Sequence, residues 1–252
     1  AAITAAVTGV NTTLTLNAAG NIAVNQPITS TGAALNLALN HGAAGSVTLA
    51  NALSLAGGKV DVLNAGITGT GTLNVTAGTT TLTGVLTAAA LNVSGGVLNL
   101  SGALTVPAIT VSSGTLNLGV ANSTTTLNVT GGTLSTAGLL TIGTLDWSTG
   151  GTLSGAGGYA VNSALNLQAT GCANCNYSLY LDGATLTNNG VATQGAGLGT
   201  GSAIPNLYLS NGAVISNAAT RTWNLDYGNI YNSGGTGVNQ FNNAGTLTTT
   251  AA

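Results

Sequence analysis

The stretch GVLNLSGALTVPAITVSS (96–113) holds three short segments whose apolar residues stand two apart, separated by Gly, Ser or Pro. The same plan returns in GTLSTAGLLTIGTLDWSTG (132–150). Alternation at i, i+2 marks a β-strand, because successive side chains leave the backbone on opposite faces. Around these units the chain keeps a constant step: Gly78, Gly96, Gly114 and Gly132 are evenly spaced, with Gly151 one place late. One apolar row runs Leu98, Leu116, Leu134 and Leu153, and a second runs Leu73, Leu91, Ile109, Leu127, Leu145 and Leu165. A looser third row holds Leu86, Leu104, Leu140 and Tyr159, with Asn122 standing in its gap.

Three strands of four or five residues per repeat are too few for a globular sheet and suit one coil of a solenoid. Each coil turns three corners and returns one strand spacing higher, roughly 4.8 Å. One leucine per coil then becomes a continuous column, which neighbouring coils bury for one another. The expected fold is all-β, a right-handed parallel β-helix of about 18–20 residues and three short strands per coil. At that period 252 residues make about 13 coils and a rod roughly 60 Å long. The glycines are expected at corners that need positive φ or close backbone approach.

Composition points the same way. Only Lys59, Asp61, Asp146, Asp182, Arg221 and Asp226 are charged, 2% of the chain, against about 25% in an ordinary soluble protein. In a stacked fold, like charges on adjacent coils would sit about 5 Å apart and repel, whereas Thr, Ser and Asn tolerate stacking. Disordered chains are also rich in Gly and Ser but poor in Leu, Ile and Val, which here are abundant and periodic. A net charge of −2 offers nucleic acid no basic patch. No apolar run approaches the length of a spanning helix, so no membrane span is expected. Both ends read as repeat, so the expectation is a piece of something longer.

The chain divides into three stretches of one elongated unit. Residues 1–70 carry units such as GNIAVNQPITSTGAALNL (20–37) and GSVTLANALSLAGGKVDV (45–62). These, with WSTGGTLSGAGGY (147–159), LDGATLTNNG (181–190) and FNNAGTLTTT (241–250), resemble the repeats of filamentous-haemagglutinin-like exoproteins, the adhesins of bacterial two-partner secretion, and of autotransporter-like surface proteins. The resemblance implies a right-handed β-helix, export to the bacterial cell surface and a role in attachment. That family's secretion domain carries Asn-Pro motifs, whereas Pro27, Pro107 and Pro205 follow Gln, Val and Ile. The resemblance therefore implies the stalk and not the export domain. His41 reads as a solvated loop residue, and Lys59 with Asp61 as a weak surface pair.

Residues 71–167 form the regular rod, and its threonine runs at 79–81 and 124–126 read as solvent-face strand residues. After residue 168 the units lengthen to about 26–29 residues and seven of the nine aromatics gather. Tyr177, Tyr180, Tyr208, Trp223, Tyr227 and Tyr231 either fill a wider core or form an exposed strip able to contact glycans. Asparagines at repeat ends (Asn188, Asn189, Asn217, Asn232, Asn242, Asn243) are expected to turn inward and bond along the stack. Cys172 and Cys175, in C-A-N-C, read as a small loop disulfide in an extracellular protein. Half a metal site is the other reading, and it would need a second chain.

Parallel β-helices also serve as polysaccharide lyases and glycosidases, which need carboxylates meeting in one groove. Four aspartates and no glutamate make a poor supply, although Asp146 and Asp182 could stand two coils apart. Asp146 occupies the repeat position of Asn92 and Asn128 and reads as a substitution in a ladder. No phosphate loop, Ser–His pairing or metal cluster appears, so no cofactor is expected. What remains is a non-enzymatic, secreted or surface-held shaft of an adhesin or extracellular fibre, whose partner is a host or environmental surface. The alternatives are a filament subunit that joins like subunits end to end, and a carbohydrate-binding module using the aromatic strip.

Overall fold

A computed structural model describes residues 3–5, 12–30, 35–41, 47–49, 53–57, 60–63, 67–82, 84–168, 176–195 and 204–249. Among these residues every ordered element is a β-strand, and every strand pairing is parallel with the coil before or after it. The molecule is a parallel β-solenoid of three walls.

In the regular region the first wall is made of strands such as Leu86–Thr87 and Leu104–Thr105, the second of Ala90–Val93 and Ala108–Val111. The third is made of Val97–Leu100, Thr115–Leu118 and Thr133–Thr136. Register here is kept residue for residue apart from one shift, between Ile142 and Thr144, where Leu140–Ser148 pairs with Tyr159–Gln168. Leu98 lies under Leu116, Leu116 under Leu134 and Leu134 under Leu153. In the second wall Leu91, Ile109, Leu127, Leu145 and Leu165 follow one another. All of these side chains are buried, in one core running along the axis. Each contributes about 1.5–3 kcal/mol by leaving water, so the columns carry the stability of the rod.

Followed coil by coil among the described residues, the second wall contains twelve strands from Ile3–Ala5 to Thr246–Thr249. That is one fewer than the sequence spacing predicts, because coils at both ends are longer than the regular ones. Near the amino-terminal end Leu14 lies under Leu37 and Leu37 under Val60, steps of 23. The third-wall strands there, Thr12–Ala18 and Leu35–His41, are longer and belong to a separate three-stranded sheet. His41, expected in a loop, is the last residue of the second of them. Towards the other end Leu165 lies under Ala192, Ala192 under Trp223 and Trp223 under Leu247, steps of 27, 31 and 24.

The corner glycines take the left-handed backbone they were expected to need. Gly78, Gly96, Gly114 and Gly132 have φ of 64–71°. The fifth corner departs from expectation. Positive φ falls there on Thr149 and Gly150, while Gly151 is set against the inward Trp147. The indole Nε1 donates to the Gly151 carbonyl at 2.8 Å, and a Cβ on Gly151 would stand 3.1 Å from that nitrogen. Trp147 occupies the column of Val129, and the corner gains one residue where the larger ring is seated.

Polar side chains bond along the stack. On outer faces Asn92 Nδ2 donates to Asn74 Oδ1 at 2.8 Å, and Asn117 Nδ2 to Asn99 Oδ1 at 2.7 Å. Inside the rod, fully buried Asn188 donates to fully buried Asn217 at 2.8 Å, and Asn217 donates to Asn243, exposed on the last described coil, at 2.7 Å. Asn122, the gap in the third apolar row, is turned to nearby backbone. Its Oδ1 accepts from the Leu104 N–H at 2.7 Å, and its Nδ2 donates to Val120 O at 2.9 Å.

Candidate functional site

The third wall changes character along the rod. Its strands alternate inward leucine with an outward residue, so one outward column can be followed through eight coils. It reads Thr79, Val97, Thr115, Thr133, Thr152, Tyr180, Tyr208 and Tyr231. Beside it runs Thr81, Asn99, Asn117, Ser135, Ser154, Asp182 and Ser210. Asp182 is the one ionisable group in this second column. Its Oδ1 accepts from Ser210 Oγ at 2.7 Å and from Asn211 Nδ2 at 2.5 Å.

The three tyrosines stack. Tyr180 and Tyr208 have ring centroids 5.5 Å apart and planes 27° apart; Tyr208 and Tyr231 stand at 5.0 Å and 24°. Leu179 and Leu181 are buried on either side of Tyr180, and Leu207 and Leu209 flank Tyr208 in the same way. Alternation thus drives these tyrosines outward. Tyr180 is 40% exposed and Tyr231 41%, with Tyr208 half-buried between them. Both faces of Tyr208 are covered by its neighbours, so that ring offers water its edge and hydroxyl, whereas Tyr180 and Tyr231 are each covered by another ring on one face only. A glycan reaching the stack would meet phenol hydroxyls and the outer faces of the two end rings, Tyr180 and Tyr231. The wall also carries a shallow, open groove of about 380 Å³ lined by Thr81, Asn99, Asn117 and Ser135.

The other residues of the expected aromatic strip lie elsewhere. Trp223 is fully buried, in the inward column of the second wall between Ala192 and Leu247. Phe241 meets it edge-on, with centroids 5.2 Å apart. Trp223 is therefore core and cannot touch a surface ligand. Tyr177 is half-buried, opposite Pro205 in the third wall. Tyr227 is half-buried at a corner, where its N–H donates to Gln194 O at 3.1 Å. Cys172, Cys175 and Lys59 lie outside the described residues.

Asp146 and Asp182 do not meet. Asp146 stands on the second wall between Asn128 and Asn166, and its Oδ1 accepts from Asn166 Nδ2 at 2.7 Å. Asp182 stands on the third wall, between Ser154 and Ser210. No groove brings these two carboxylates together for acid–base work.

Fold and face together define a parallel β-solenoid with one tyrosine-striped wall. No family model, curated protein or solved structure matches the chain.

Proposed function

We propose that this chain is a length of the shaft of a bacterial surface adhesin or extracellular fibre, and that its work is mechanical rather than catalytic. One observation carries the reading: among the described residues parallel pairing runs unbroken from coil to coil through twelve second-wall strands, with register shifts only at Val75/Ala77 and Ile142/Thr144. Such a stack holds its two ends apart at a set distance, roughly 4.8 Å per coil. The repeat resemblance supports placement outside the cell. Antibodies raised against residues 84–168 should label intact cells of the source bacterium, and in-frame removal of that segment should weaken attachment to a surface. Labelling that appears only after lysis would overturn the reading.

A second reading, end-to-end assembly of like subunits, draws on the last described coil. Its inward residues Ile230 and Phe241 are only half-buried, and Leu247 is 46% exposed. An uncovered last coil presents unpaired strand groups that can template another strand. Particle length rising with protein concentration would favour this reading, and a length independent of concentration would remove it.

A further inference from the structure

We propose that Tyr180, Tyr208 and Tyr231 form a site of oxidative cross-linking, at which a peroxide-driven one-electron oxidant joins successive coils through dityrosine. The inference stands on ring geometry and does not depend on the adhesin reading. Two stacked pairs stand 5.5 and 5.0 Å apart between centroids, with planes 27° and 24° apart. Parallel register holds the rings in like positions on neighbouring strands, stacked pairwise along the column. The two outer rings are 40% and 41% exposed, open to an oxidant too large to enter the core. No cation lies in register with them: Lys59 and Arg221 are the only basic side chains besides His41, and none lies on the tyrosine strands.

The chemistry balances with hydrogen peroxide and a haem peroxidase as co-reactants. Each of two phenols gives up one electron and one proton and becomes a phenoxyl radical. The two radicals pair by forming one carbon–carbon bond between ring positions beside the oxygens. The hydrogen on each coupled carbon then moves to its oxygen, which restores both phenols. The peroxide O–O bond is broken and takes up the two electrons and two protons, leaving two waters. Tyr208 is the shared member, able to couple to the coil on either side.

The test treats the full chain, dilute, with peroxidase and peroxide. Dityrosine fluorescence is expected in the monomeric band, with a mass loss of two hydrogen atoms for each link. Trypsin under denaturing conditions cuts only after Lys59 and Arg221, which separates Tyr208 from Tyr231. A 208–231 link keeps fragments 60–221 and 222–252 together, whereas a 180–208 link lies within 60–221. Tyr208→Phe keeps the ring stack but removes the shared phenol, so monomer fluorescence and joined fragments should both be lost. Tyr227→Phe should retain them. Far-ultraviolet circular dichroism checks that each variant is folded. Fluorescence confined to oligomers, or monomer fluorescence undiminished in folded Tyr208→Phe, would overturn the proposal.

Discussion

Gly114 shows how tightly a single position is held. Its φ is 71°, and a Cβ there would run into the Gly96 carbonyl oxygen and stand 2.7 Å from the Gly95 carbonyl carbon. A β-branched residue disfavours that backbone and has no room for its side chain. Gly114→Val should therefore cost about 3 kcal/mol or more, read as a large fall in melting temperature; a variant that melts like the parent would mean the corner is misassigned. Tyr159 is held differently. Burial pushes its phenol well above the ordinary value. The hydroxyl can donate to Leu134 O or Ser154 O, each at 2.7 Å, and accepts from the Ser154 N–H at 3.2 Å. Tyr159→Phe should cost about 1–2 kcal/mol near neutral pH, through lost hydrogen bonds. An unfolded tyrosine ionises near pH 10, so the stability of the neutral buried form is complete below that pH and declines above it. The gap between parent and Tyr159→Phe should narrow by about 1 kcal/mol between about pH 8 and pH 11. A gap that widens with pH would refute the placement.

Between coils, the same side-chain chemistry has different weight inside and outside. Asn217 is fully buried and linked to Asn188 below and Asn243 above, so Asn217→Ala should cost about 1–3 kcal/mol. Asn92→Ala breaks a half-exposed link and should change stability by about 0.5 kcal/mol or less. Equal losses in denaturant melts of the two variants would remove the distinction. The rows between 72 and 148 were legible in the sequence because a constant step puts each leucine above the last. Trp223 was hidden for the opposite reason. The long step that separates it from Ala192 conceals its membership of the inward second-wall column. The tyrosine stack did leave a trace: SLYLD (178–182) and NLYLS (206–210) repeat Leu-Tyr-Leu. Its partner NIYNS (229–233) sits at a different step, so spacing alone could not align all three. Trp147 likewise moves the fifth positive-φ corner away from Gly151, a packing effect that no count of intervals contains.

For the molecule as a whole, the coil is the unit that can be added or removed. Val97 and Thr115 are equivalent in register, as are Leu98 and Leu116. Deleting residues 97–114 should therefore shorten the rod by one step of roughly 4.8 Å and leave a folded protein with a similar melting temperature. Deleting 97–105 should break the stack, because inward and outward residues no longer align. Scattering curves and melting of the two deletions separate these outcomes, and equal damage by both would argue against the coil as the unit. A last consequence follows from the direction of the backbone bonds. Ser94 N donates to Val75 O and Ser112 N to Val93 O, both at 2.9 Å, from one coil to the coil before it along the axis. Tension on the chain ends loads such bonds in line, so the outermost turn peels away before the next feels the pull. Each regular turn would let out its whole contour, roughly 60 Å of slack. Force spectroscopy should show evenly spaced steps through this region rather than one rupture. A tether built this way absorbs a jolt by unreeling, and keeps its grip.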